Sequence, residues 1–160
     1  MTDISWRWKW SSVDFELLVS KDVASVLTSY RQPFYGTERG GQLFVNPNCT
    51  KGLLLALATL PHRNDHAGRS WLELDSNRCR DEITRANSEG LRLVGYWHTH
   101  PQLTPEISSS DINSFSRFAN RYIQDLPYPL AIIVGQSSQP SGIKAWSFRD
   151  GEYIEATRLE

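Results

Sequence analysis

Two histidines, His98 and His100, sit inside the stretch Gly95-Tyr-Trp-His-Thr-His-Pro101, and a Ser108-x-x-Asp111 pattern follows shortly after. Side chains two apart on an extended segment project to the same side, so the two imidazoles can share one target. A carboxylate arriving from the start of the next helix can complete one face of a tetrahedral site. Three nitrogen and oxygen ligands with an open fourth position are what a catalytic zinc ion requires. The chemistry would be hydrolysis, because zinc brings the pKa of a bound water down to about 7.

Ligands alone do not make such a site work. A carboxylate outside the ligand set must take the proton of the water and pass it to the leaving amine. A donor must also steady the oxyanion that forms on the scissile carbonyl. Ser108 lies one helical turn before Asp111, so its hydroxyl should face the same open position. For the base, Glu106 falls in the loop between the ligands, where nothing orients it. Glu38 is the stronger candidate, because it stands just ahead of Gly40-Gly41. Paired glycines let two backbones approach closely where a strand begins.

The elements that would position these residues can be read in order. Ser5 to Trp10 alternates polar and aromatic residues, which predicts a strand with Trp6, Trp8 and Trp10 on one face. That face is read as core, with an exposed binding patch as the alternative. Phe15–Val19 reads as a second strand. Ser20 offers a cap to a helix reaching about Arg31, with Val23, Val26, Leu27 and Tyr30 on its apolar face. Leu53–Leu60 is read as a central strand, and residues 61–70 as a polar loop. His62 and His66 in that loop would suit a metal only on a helix, which Pro61, Asn64, Asp65 and Gly68 oppose. Trp71–Leu74 reads as a short strand. A second helix is expected over Asn77–Ser88, capped by Asp75 or Ser76 and stopped by Gly90.

Leu91–Trp97 is the strand expected to deliver the histidines. A third helix, capped by Ser109 or Ser110, should run to about Tyr122 and turn Ile112, Phe115, Phe118 and Ala119 inward. Leu130–Val134 reads as a buried strand. Gly142–Phe148 and Tyr153–Thr157 read as a final hairpin across Arg149-Asp-Gly151. The expected fold is one α/β domain over residues 1–160, a mixed sheet with about three helices.

Bulk properties narrow the partners. At 160 residues, 39% hydrophobic and 22% charged, the chain has an ordinary globular composition. A formal net charge of -1 with well-mixed signs points to neither nucleic acid nor an acidic membrane as partner. Cys49 and Cys79 are isolated, form no CxxC and are read as free thiols. The first residues lack the pattern of a signal peptide, and the apolar run near Leu53–Ala58 is too short to span a bilayer. A cytoplasmic location is expected.

Taken together, Glu38-x-Gly40-Gly41, His98-Thr-His-Pro101 and Ser108-x-x-Asp111 resemble the signature of the JAB/MPN family of zinc metallopeptidases, called JAMM. The pattern of an upstream glutamate followed by HxHPx(6)SxxD is complete. One departure is Ile107, where a proline often precedes the motif serine. The resemblance implies a curved mixed β-sheet flanked by helices, with cytidine deaminase-like layering. It implies Zn2+ held by His98, His100 and Asp111, acid/base chemistry at Glu38 and stabilisation of the tetrahedral intermediate by Ser108.

The implied activity is cleavage of a peptide or isopeptide bond after the extended C-terminal tail of a ubiquitin-like protein, bound as an added strand. Within the family the chain is most similar to the deconjugating peptidases of bacterial CBASS anti-phage operons. Those release a conjugated cGAS-like nucleotidyltransferase. Maturation of a ubiquitin-like or sulfur-carrier precursor is the alternative task. A catalytically silent MPN scaffold is the alternative class, and the complete ligand set opposes it. By position, residues 61–71 correspond to an insertion that clamps the substrate tail in relatives, or else form a plain surface loop.

Overall fold

The protein is described from a computed structural model, which covers residues 3–11, 16–48, 52–121, 129–149 and 151–159. Phe15, Cys49, Tyr122 and the turn residue Asp150 lie outside the described residues.

Strands β1 (Ile4–Lys9) and β2 (Glu16–Ser20) pair antiparallel and lead into helix α1 (Lys21–Ser29). The Ser20 hydroxyl accepts from the Val23 amide at 3.2 Å, which caps the helix as expected. The helix stops two residues short of Arg31. Strands β3 (Gly40–Asn46) and β4 (Leu53–Ala58) follow as an antiparallel pair. Residues 61–70 are more ordered than a plain loop: β5 (His66–Ala67) pairs with β6 (Leu72–Glu73) as a small separate hairpin.

Helix α2 (Ser76–Ser88) is capped by the Asp75 carboxylate on the Arg78 amide. It ends at Gly90, whose φ of 81° is left-handed. Gly90 N–H donates to Asn87 and Leu91 N–H to Ala86, which closes the last turn and satisfies two terminal carbonyls. Strand β7 (Arg92–Thr99), helix α3 (Ser109–Arg121) and strand β8 (Leu130–Val134) form a parallel crossover unit. A 3₁₀ turn (Pro140–Gly142) precedes β9 (Ile143–Arg149) and β10 (Glu152–Glu155), which pair antiparallel. The final strand, β11 (Thr157–Leu159), was not foreseen: the expected last strand breaks at Ala156, and Thr157 onward crosses to pair with β1.

Among the described residues the main sheet has nine strands in the order β10-β9-β8-β7-β3-β4-β2-β1-β11. Its two edge strands are neighbours in sequence, with Ala156 alone between them. The sheet therefore has to curl until its edges meet, and the Trp10 indole donates to the Ile154 carbonyl at 3.0 Å near that closure. The pairs β2/β4 and β7/β8 are parallel and the rest antiparallel, so this is the curved, mixed α/β sheet with three helices that the sequence implied.

Trp6, Trp8 and Trp10 are 5%, 1% and 4% exposed, which settles the alternating stretch as core. They pack with Val23 and Leu27 of α1 on one face of the sheet. Phe115 and Phe118 of α3 and Ala86 of α2 cover the other face. Strand β8 is buried along its whole length, with Ile132 on the tryptophan face and Ile133 under α3, as befits a parallel strand covered on both sides. Helix α2 departs from expectation. Of Cys79, Ile83 and Ala86 only Ala86 is fully buried, and the buried neighbour is the charged Arg78.

Candidate metal centre

The crossover from β7 through α3 to β8 places the start of α3 beside the carboxyl end of β7. His98 lies within β7, paired with Ile133 of β8, and His100 follows the strand with its amide donating to Val134 at 2.9 Å. The strand runs two residues further than its sequence suggested, so ladder hydrogen bonds fix both imidazoles. Phe115 of α3 stacks on the His98 ring, with centroids 6.0 Å apart. Gln102 Oε1 lies 3.2 Å from His100 Nδ1, which orients that ring and leaves Nε2 facing the site.

The two Nε2 atoms are 3.1 Å apart, and the Asp111 carboxylate spans them at 3.0 Å from His98 and 3.1 Å from His100. A tetrahedral zinc with bonds of about 2.0–2.1 Å has ligand-to-ligand edges of about 3.3 Å. The two imidazole nitrogens are spaced close to one such edge, and with one Asp111 oxygen against each of them the donor set has the chemistry of three corners of such a tetrahedron.

Asp111 owes its place to a capping arrangement. The Ser108 hydroxyl accepts from the Asp111 amide at 3.1 Å, and Asp111 Oδ2 accepts from the Ser108 amide at 3.0 Å. This is a reciprocal capping box, so Ser108, not Ser109 or Ser110, caps α3. The same Ser-x-x-Asp spacing that suggested a catalytic pair is what starts the helix. The cap uses a lone pair of the Ser108 oxygen and leaves its hydroxyl proton available to another acceptor.

Glu38 comes from the far side. Strand β3 is in register with β7 so that Gly40 faces His98, and a Cβ on Gly40 would lie 2.2 Å from the Trp97 carbonyl oxygen. Only glycine permits that approach. Beyond it, Arg39 N–H donates to Thr99 Oγ1 and Thr99 N–H to the Arg39 carbonyl. The Glu38 amide donates to Gly68 of the small hairpin at 2.8 Å. Glu38, His98 and His100 each present a ligand atom within 4.8 Å of the others, and all three are buried.

Burial pushes the Glu38 carboxyl up; charge on His98 and His100 opposes this, Asp111 adds to it, and the net shift is upward. Burial would raise Asp111 as well, but hydrogen bonds from His100 and His98 hold it well below the usual carboxylate range. His100 is raised, because its bond and attraction to Asp111 outweigh its burial.

The five residues singled out by their spacing, Glu38, His98, His100, Ser108 and Asp111, thus gather at one place, while Glu106 points its amide at Gln102 and stays exposed. His62 and His66 remain in the small hairpin region, away from the cluster of ligand atoms. From the cluster a cavity of about 560 Å³ runs between the hairpin and helices α2 and α3, lined by Trp71, Leu72, Leu74, Ile83 and Tyr96.

Two supporting residues gave no sequence signal as parts of the site. Gln32, 2% exposed, donates to the Gly36 and Arg69 carbonyls and accepts from Thr99 Oγ1. Arg78 ties the hairpin loop to β3. The i,i+4 spacing of Arg78 and Glu82 was a readable helix pair, but nothing in it indicated burial.

The chain is similar to known proteins in fold and in sequence. One solved structure, a Desulfitobacterium hafniense protein, superimposes with a TM-score of 0.59 at 16% identity, covering 86% of this chain and 87% of its own. The curated protein named CD-NTase/cGAS isopeptidase from Escherichia coli (strain TW11681) is 25% identical over 105 residues, 64% of this chain and 67% of that protein. The family described as prokaryotic homologs of the JAB domain matches residues 20–149, from the cap of α1 through β9. A match of that extent, over a fold and a residue cluster of the kind just described, means that the chain belongs to the prokaryotic JAB family.

Proposed function

We propose that the chain is a zinc metallopeptidase acting as a deconjugating isopeptidase, with residues 1–160 as one catalytic domain. Its substrate is the extended C-terminal tail of a conjugated cGAS-like nucleotidyltransferase, or of a ubiquitin-like protein, in anti-phage defence. The observation that carries the reading is the convergence of His98 and His100 Nε2, 3.1 Å apart, on the Asp111 carboxylate, one oxygen against each at 3.0 and 3.1 Å, with buried Glu38 beside them at the head of a groove. The name of the Escherichia coli relative supports the choice of a conjugated nucleotidyltransferase over precursor maturation. Among the described residues, no helix is long and apolar enough to cross a membrane.

In this reading His98, His100 and Asp111 hold the zinc, which when bound supplies a Lewis acid and an acidified water. Glu38 takes a proton from the attacking water as its oxygen bonds to the scissile carbonyl carbon. The same proton then passes to the leaving amine as the C–N bond breaks. The Ser108 hydroxyl, its lone pair engaged by the Asp111 amide, donates its proton to the carbonyl oxygen as charge builds there. The groove seats the tail in an extended form, with the 66–73 hairpin as the clamp that residues 61–71 were expected to provide.

The test is a fluorescent protein fused through the tail of a folded CD-NTase-type nucleotidyltransferase, incubated with wild type, Glu38→Gln and a chelator-treated sample. Intact masses should show a single cut at the end of the tail with wild type alone, while metal analysis finds zinc in both wild type and Glu38→Gln. Zinc at full occupancy with no cut would sink the assignment of substrate. Absence of both zinc and cleavage would return the protein to the scaffold class.

A further inference from the structure

Three large side chains beside the site are far more exposed than the core-building role of aromatics explains. Tyr35 is 92% exposed, Phe34 63% and Trp71 52%. Phe34 and Tyr35 are the central residues of a tight turn closed by the Gly36 amide on the Pro33 carbonyl at 2.9 Å. Gln32 braces that turn from beneath through the Gly36 carbonyl. The two rings meet edge to face, 4.8 Å between centroids, and the Arg69 guanidinium lies over Phe34 at 5.3 Å while donating to the Phe34 carbonyl. The rings are thus held outward on a rigid turn before any partner arrives. Single exposed apolar residues need no explanation, but a fixed pair stacked with arginine has the composition of an interface centre.

The charge around the rings is one-sided. Arg31, Arg39 and Arg69 give hydrogens to the carbonyls of Thr28, Arg31 and Phe34, and among the described residues no carboxylate pairs with any of them. Arg7 pairs with Glu16 and Arg78 with Asp65 and Glu82, whereas Arg92, like the three here, gives its hydrogens to carbonyls. The acids of this stretch are spent: Glu38 is buried in the site and Asp65 is bound to Arg78. The patch is also continuous with the groove. Tyr35 is three residues from Glu38, at most about 11 Å of chain, and Glu38 is hydrogen-bonded to Gly68, next to Arg69.

We propose that the Phe34–Tyr35 turn with Arg31, Arg39 and Arg69 docks the folded body of the protein whose tail enters the groove. That body presents an apolar patch edged by carboxylates. The inference rests on the peptidase reading above and adds to it a second, tail-independent contact. Arginine and aromatic rings can also stack nucleic-acid bases. A protein partner is favoured because the groove beside the patch is lined by Trp71, Leu72, Leu74 and Ile83, apolar side chains suited to a peptide tail.

The experiment compares two substrates of the same fluorescent reporter. One carries the whole folded nucleotidyltransferase with its tail, and the other only the last ten residues of that tail. Tyr35→Ala and Phe34→Ala should each raise KM for the folded substrate tenfold or more, with kcat unchanged and kcat/KM for the short tail within a factor of two. Equal effects on both substrates, or none on either, would overturn the docking surface. If wild type loaded with zinc cuts neither, the peptidase reading fails and docking is decided by calorimetry of the folded nucleotidyltransferase on Glu38→Gln. Binding that Tyr35→Ala abolishes upholds the surface, and no binding overturns it. A single-stranded oligonucleotide bound through Tyr35 would overturn the choice of a protein partner.

Discussion

Replacing Arg78 by methionine should be among the most damaging single changes outside the motif. All five guanidinium hydrogens have acceptors. Asp65 takes two, at 2.7 and 3.1 Å, and the rest go to Glu82, Thr59 Oγ1 and the Gly40 carbonyl at 2.9–3.0 Å. The side chains of Arg78 and Asp65 are 4% and 7% exposed, whereas Glu82 is 24% exposed and can turn to water. The cost therefore falls mainly on the stranded Asp65 carboxylate and the Gly40 carbonyl. Removing one partner of a buried pair costs about 3–5 kcal/mol. At this chain length that lowers Tm by roughly 6–20 °C.

Denaturant unfolding in chelator, so that metal binding does not shift the baseline, gives the number directly. Adding Asp65→Asn to Arg78→Met should recover part of the loss, because the uncompensated charge is gone. A coupling of about 1–3 kcal/mol is expected from such a cycle. Acid adds an independent check. Burial alone would raise the Asp65 carboxyl, but the hydrogen bonds from Arg78 and the Asp75 amide hold it below its ordinary value. A carboxyl lowered in the folded state contributes its stability above the unfolded pKa of about 3.9 and loses it as pH falls through the folded value. The margin of wild type over Asp65→Asn should thus be flat from pH 7 to about 5 and shrink below about 4. A loss under about 1 kcal/mol for Arg78→Met, or strict additivity in the cycle, would refute the reasoning.

Other changes separate support from chemistry. Ser108→Ala should lower turnover by roughly two to three decades through loss of the oxyanion donor and destabilise α3 by about 1 kcal/mol. Ser108→Gly should show the same kinetic loss at only a few tenths of that stability cost, so matched kinetics in the two variants tie the rate to the hydroxyl. Gln32→Leu strands the Gly36 and Arg69 carbonyls and removes the acceptor of the Thr99 hydroxyl; cleavage should slow with zinc content unchanged by metal analysis, because backbone pairing to β8 still holds His98 and His100, and loss of zinc would show that Gln32 acts through Thr99 instead. Gly40→Ala forces β3 away from β7, so zinc should stay with His98, His100 and Asp111 while turnover collapses.

Much of this was legible because local chemistry and the fold ask for the same residues. The alternation of Trp6, Trp8 and Trp10 predicted one buried face, and the core took all three. The spacing of His98 and His100 predicted convergence, and β7 delivers it. Two of the misses share a physical cause, which is that they depend on contacts distant in sequence. Ala156 ends β10 and sends Thr157 to β1 because the sheet closes on itself, and closure leaves no local mark. The burial of Arg78 has no local signal, since nothing in its neighbourhood says that Asp65, Thr59 and Gly40 meet over it. The cap of α3, expected at Ser109 or Ser110, was misplaced by one or two residues because three serines in a row are equal by propensity; the carboxylate of Asp111, three residues after Ser108, breaks the tie.

The site divides its labour between two parts of the fold, and the division explains why the supporting residues lie where they do. The ligand triangle is built on one local crossover, in which β7 ends where α3 begins, and the capping box of Ser108 and Asp111 sets its third corner. Glu38 has no such local frame. It hangs beyond the end of β3, reached only because Gly40 lets that strand close on β7. Two buried polar side chains then grip the surrounding chain, Gln32 through Gly36 and Arg78 through Gly40. Each also grips the hairpin region that walls the groove, Gln32 through Arg69 and Arg78 through Asp65. Base and clamp are therefore held by the same two residues. A tail that presses on the hairpin loads the supports that place Glu38, whereas the metal ligands rest on a frame that can stay still.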